Sequence, residues 1–82
     1  NTGRIDLVLE TNTDIYLFEL KVDASAEAAL RQIKEKRYYE KYLHIASNKV
    51  SENSTTDKTV HLVGINLSLS ERNITEWLIE RV

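Results

Sequence analysis

Hydrophobic and polar positions alternate from the start of the chain. In residues 4–10, Ile5, Leu7 and Leu9 fall on one side, and Arg4, Asp6, Val8 and Glu10 on the other. In residues 15–22, Tyr16, Phe18, Leu20 and Val22 oppose Ile15, Leu17, Glu19 and Lys21. A period of two in β-branched and aromatic residues predicts two strands. The polar link Thr11-Asn12-Thr13-Asp14 makes them a hairpin. The period then lengthens: Ala26, Ala29, Leu30 and Ile33 form a helical stripe, with Ser25 as N-cap and Glu27 in the first turn. The helix is expected to run to about Leu43, with its weakest stretch at Arg37-Tyr38-Tyr39. Residues 47–58 are polar and read as a loop, 59–67 as a buried strand, and 74–81 as a last alternating strand with a short helix as the alternative. Strand, helix, strand over 15–67 predicts a crossover joining two parallel strands. The helix is expected to cover the face carrying Tyr16, Phe18 and Leu20. The fold class is α/β.

Eighty-two residues make one small domain. At 41% hydrophobic and 29% charged it has the profile of a globular protein, and no apolar run is long enough to span a membrane. Cysteine is absent, which excludes a disulfide scaffold and a zinc–thiolate site, and the histidines His44 and His61 stand apart. Without cysteine or a signal peptide, nothing supports secretion, and the expected compartment is the cytoplasm. The chain opens on Asn rather than Met, which points to a C-terminal piece of a longer polypeptide. A net charge of −2 argues against wholesale wrapping of nucleic acid, yet residues 31–41 hold Arg31, Lys34, Lys36, Arg37 and Lys41 against Glu35 and Glu40.

The hairpin brings candidate chemistry together. If Glu10 pairs with Ile15, then Asp6 lies opposite Glu19 and Arg4 opposite Lys21, all on one face. Opposed strand residues sit about 5 Å apart, and two carboxylates at that distance repel. A divalent cation would relieve them: Mg²⁺ takes oxygen ligands, often one or two carboxylates plus waters. Lys21 on the same face could orient a water or neutralise charge on a phosphate. The same residues also fit plain surface ion pairs, and spacing leaves both readings open.

Gly3-Arg4-Ile5-Asp6, Phe18-Glu19-Leu20-Lys21, Ala29-Leu30-Arg31-Gln32-Ile33 and a tyrosine-rich helix end, followed by a strand ending Gly64-Ile65-Asn66, resemble the PD-(D/E)XK nuclease superfamily. The set is similar to the nuclease-like domain at the C-terminal end of bacterial AAA-ATPase-like proteins. The resemblance implies a truncated restriction-endonuclease-like core, a mixed sheet flanked by helices, and a metal-dependent deoxyribonuclease. It assigns Asp6 and Glu19 to Mg²⁺, with Mn²⁺ as a substitute, Lys21 to the attacking water and Gln32 to support of the site. Tyr38 and Tyr39 loosely match a later tyrosine of that helix. Ile5 stands where the superfamily's name has proline, and the helix and strand that open its core have no counterpart before Gly3.

Arg4 could contact phosphate or balance the acids. Arg31, Lys34 and Tyr38 could meet a nucleic-acid backbone or base, or belong to a solvated helix face and the core. Trp77 is expected to anchor the core, and His61 to be a partly buried structural residue. A rival reading is a non-catalytic interaction module that binds a protein, nucleic acid or an attached ATPase, with homodimerisation through an exposed sheet edge.

Overall fold

The computed structural model describes residues 5–37, 39–47 and 58–82, with backbone alone for 44–47. Four strands, β1 (Leu7–Glu10), β2 (Asp14–Val22), β3 (Thr59–Ser68) and β4 (Asn73–Arg81), form one sheet in the order β1-β2-β3-β4. Between β2 and β3 come α1 (Ala26–Lys36) and α2 (Tyr39–Ser47). The outer pairs are antiparallel and β2–β3 is parallel, so the sheet is mixed, as expected. The hairpin register is also the expected one, with Leu7 opposite Phe18 and Glu10 opposite Ile15. Its turn is closed by Thr11: its N–H donates to the Asp14 carbonyl at 2.8 Å, and its Oγ1 accepts from the Asp14 N–H at 2.9 Å. The 74–81 segment is a strand, not a helix.

Three expectations need correction. The helical layer covers the Ile15, Leu17 and Glu19 face of β2, not the Tyr16, Phe18 and Leu20 face; Ile15 and Leu17 are buried, and Leu20 is 37% exposed. Both faces of β2 are apolar, so alternation could not choose between them. Gly64 on β3 decides. It lies opposite Glu19, and a Cβ there would sit 2.4 Å from the Ala26 carbonyl oxygen and 2.7 Å from the Leu30 nitrogen. Only a bare backbone lets α1 approach that closely. Ala26 and Ala29 turn toward this contact, while Leu30 and Ile33 fill the core with Ile15, Leu17, Val60 and Leu62.

The expected single helix is two. Ser25 caps α1, its Oγ accepting from the Ala28 N–H at 3.0 Å, and Arg37 ends it in the left-handed conformation at φ 60°. The apolar stripe runs out after Ile33. A second begins with Tyr39, Tyr42 and Leu43, which pack against the same core. Finally, Trp77 anchors nothing: it is 65% exposed, because β4 turns Glu76, Leu78 and Glu80 toward α1 and Trp77 away from it.

Candidate functional site

Glu19 and Lys21 are two residues apart on β2 and therefore share a face. That face lies under α1, so Glu19 is 6% exposed. Gln32 reaches down from α1 between them. Its Nε2 donates to Glu19 Oε2 at 2.6 Å, and its Oε1 accepts from the Lys21 ammonium. One amide thus fixes both a carboxylate and a cation, and it can do so because an amide carries a donor and an acceptor on one plane.

Asp6 stands at the mouth of the hairpin, just before β1. Its N–H donates to the Phe18 carbonyl at 3.1 Å, and its Oδ2 accepts from the Leu20 N–H at 2.8 Å. The backbone N–H of Asp6 and its carboxylate thus tie it to the two residues flanking Glu19, the carboxylate to Leu20 alone. Each acid keeps one oxygen, Asp6 Oδ1 and Glu19 Oε1, without a hydrogen bond among the described residues.

The electrostatics follow from this burial. Loss of solvent lifts the Glu19 carboxyl above the ordinary glutamate range, and the Asp6 carboxylate adds to the rise. Lys21 and then Lys36 pull the other way. Lys36 is the site residue that the sequence reading left in a general basic cluster. It lies one helical turn beyond Gln32, so the i, i+4 spacing could have signalled it. It is half-buried and makes no ion pair within 4 Å among the described residues.

The other basic residues of α1 are turned elsewhere. Arg31 pairs with Glu27 at 3.7 Å, and Lys34 pairs with Glu80 of β4 at 2.6 Å. They lie on the β4 side of the helix, away from Gln32. Arg4 and Tyr38, expected to meet nucleic acid, fall outside the described residues, as does the side chain of His44. Among the described residues no third His, Cys, Asp or Glu joins the two acids in a metal-holding group. The donor set is two carboxylates, which suits a hard cation that keeps most of its waters and does not suit a structural zinc.

Two further features lie apart from this site. A cavity of about 500 Å³ is lined by Ser25, Glu27, Glu76 and Trp77 at the start of α1. Its polar groups are already engaged, the Ala26 N–H donating to Glu76 Oε1 at 2.9 Å. At the other end of the sheet, His61 Nε2 bonds Asp14 Oδ1 at 2.7 Å and its ring stacks on Tyr16 at 4.6 Å. Hydrogen bonds from Thr13 and then His61 hold the Asp14 carboxyl below the usual aspartate range. His61 is structural, as expected.

Comparison with known proteins bears on the family. A curated relative, an uncharacterized protein in the vnfD 5′ region of Azotobacter chroococcum mcd 1, is 32% identical over 80 residues. The match covers 95% of this chain and 13% of that protein. No solved structure matches significantly. Among the described residues no helix is long and apolar enough to cross a membrane. The model of one family matches residues 1–77, nearly the whole sheet and both helices, and the chain belongs to that family, the PD-(D/E)XK nuclease superfamily.

Proposed function

We propose that this domain is a Mg²⁺-dependent nuclease that hydrolyses phosphodiester bonds in DNA. The observation that carries the reading is the buried Glu19 carboxylate, held by Gln32, its carboxyl lifted by loss of solvent and by the Asp6 carboxylate. An ionised carboxylate with a second one next to it is costly to keep out of water. A divalent cation on the free oxygens of Asp6 and Glu19 would remove that cost, lower the pKa of a bound water and offset charge on the phosphate. Mn²⁺ could stand in for Mg²⁺.

The chain's own groups have separate tasks. Gln32 locks Glu19 in one orientation and, through its carbonyl, holds the Lys21 ammonium on the same face. Lys21 orients the attacking water and faces the negative charge that builds on the phosphate oxygens. Lys36, one turn along α1, supplies a further cation for the phosphate of the strand being cut. Water's oxygen bonds to phosphorus, the ester oxygen leaves, and the proton passes to that oxygen.

The setting is a larger polypeptide in the cytoplasm, with an ATPase domain as the companion that the motif set suggests. The matched relative's much greater length is compatible with that. The test is nicking of supercoiled plasmid with Mg²⁺ or Mn²⁺. The wild type is expected to nick and Lys21→Ala to lose activity by orders of magnitude; equal activity in both removes Lys21 from the reaction.

A second reading is favoured by the wide apolar sheet face opposite α1: a module that keeps the fold and binds a partner without catalysis. Calorimetry separates the two. Mg²⁺ binding that disappears in Asp6→Asn supports the nuclease, and no binding at millimolar metal supports the module.

A further inference from the structure

Two cross-strand rows lie under α1. In one, Glu19 of β2 stands beside Gly64 of β3 and Leu78 of β4; in the next, Lys21 stands beside Asn66 and Glu76. Gly64 sets how closely α1 approaches the sheet. It does not set where along its own axis the helix stops, because the parts of α1 nearest Gly64 are the Ala26 and Leu30 backbone and the Ala29 methyl. No large side chain is seated there to resist sliding.

The second row supplies that stop. Asn66 is 5% exposed, and both ends of its amide are used. Its Oδ1 accepts from the Ala24 N–H at 2.8 Å, and its Nδ2 donates to Thr75 Oγ1 at 3.1 Å. Glu76 Oε1 accepts from the Ala26 N–H at 2.9 Å, and the Asp23 N–H donates to the Leu67 carbonyl at 2.8 Å. The link from β2 to α1 is therefore fastened to β3 and β4. A β-bulge makes this possible: Asn66 pairs with Glu76 but Leu67 with Ile74, so Thr75 is the extra residue. Strict alternation would send Thr75 and Glu76 to opposite faces. The bulge lets both reach toward the start of α1.

We propose that Asn66 is a positioning residue for the Asp6 and Glu19 cation site, fixing the start of α1 so that Gln32 meets Glu19 and Lys21 together. The inference rests on the reading of those two acids as cation ligands. Gln32 lies about 9 Å of helical rise beyond Ala26. A helix is stiff over that length, so a shift at its start reaches Gln32 undiminished. The bond from Gln32 Nε2 to Glu19 Oε2, 2.6 Å long, does not survive a slip of about 1 Å. Without it Glu19 is free to turn, and the two acids no longer present their oxygens to one ion. An amide suits the post. It accepts from Ala24, donates to Thr75 and adds no charge beside Lys21.

The experiment is a double-mutant cycle on cation affinity, read by calorimetry with Mg²⁺ and, where binding is weak, Mn²⁺. Its members are the wild type, Asn66→Ala, Gln32→Ala and the double variant, each checked for folding by circular dichroism. Asn66→Ala is expected to weaken binding about tenfold, the low end of the loss when a group supporting a metal ligand is removed. In the Gln32→Ala background the same change is expected to leave affinity where it was, because the group that Asn66 positions is gone. Thr75→Val keeps the side chain's shape and removes the acceptor for Asn66 Nδ2. It is expected to weaken binding in the same direction and by less, and it decides the question alone if Asn66→Ala does not fold. A residue that only stabilises the fold lowers Tm and leaves the affinity of the folded protein unchanged; that result overturns the proposal. So does a tenfold loss that persists in the Gln32→Ala background, because the effect then bypasses Gln32. A wild type that binds neither cation at millimolar concentration overturns the cation reading itself and the proposal with it.

Discussion

Gly64→Ala tests whether the sheet–helix contact sets both stability and the site. The added methyl would lie 2.4 Å from the Ala26 oxygen, 2.7 Å from the Leu30 nitrogen and 3.2 Å from Ala29 Cβ. Two of these partners are backbone, which cannot rotate away. Ordinary non-bonded contact needs about 3.5 Å, so α1 must retreat by roughly 1 Å. Overpacking of this kind costs about 1–3 kcal/mol. Replacing glycine inside a strand returns roughly 0.5–1 kcal/mol of backbone entropy. The net loss is about 1–2 kcal/mol, and for a domain this size each kcal/mol lowers Tm by about 4–8 °C. The same retreat pulls Gln32 away from Glu19, because a 2.6 Å hydrogen bond does not survive an added ångström. Thermal unfolding by circular dichroism should therefore show a lower Tm, and Mg²⁺ should add less stability than it does to the wild type. An unchanged or higher Tm with full metal stabilisation would falsify the close approach of α1 over β3.

Glu19→Gln should raise the stability of the metal-free domain. Because the folded carboxyl titrates above its unfolded value, the stability linked to its protonation is present in acid and lost as pH rises through the folded pKa. The variant should therefore gain over wild type at neutral and alkaline pH, with the difference closing below the unfolded glutamate range. It should also lose stabilisation by Mg²⁺. A variant less stable than wild type at neutral pH would mean that Glu19 is not held at a cost. Lys36→Gln should weaken DNA binding, measured by anisotropy in Ca²⁺, about equally for all sequences, and reduce the slope of log affinity against log salt by about 1. Metal stabilisation should persist; an unchanged affinity and slope would take Lys36 off the phosphate path.

Much of the fold was legible because strand and helix periods are local. Alternation located three strands and an apolar run the other, the polar run Thr11–Asp14 located the turn, and the hairpin pairing followed by counting. The helix break at Arg37 was visible as the weakest stretch of the predicted helix, but a positive φ at an arginine has no sequence marker. Glu19 and Lys21 were singled out by type and spacing, and Gln32 by the resemblance to the nuclease superfamily. Their joining by one amide was not legible, because that depends on which side of the sheet α1 lies. Lys36 was hidden for the same reason: a lysine four residues after Gln32 joins the site only when that helix face looks at Glu19.

Periodicity and turn chemistry determined on their own the strands, the hairpin register and the parallel crossover, and the set of Asp6, Glu19, Lys21 and Gln32 carried the resemblance to the superfamily. Tertiary structure alone decided which face of a doubly apolar strand is covered. It did so through Gly64, whose missing side chain admits α1 on the Glu19 side, buries that carboxylate and leaves Trp77 and its neighbours in water. The physical reason is that side-chain period is encoded residue by residue, whereas the choice between two similar faces depends on how closely two backbones can meet.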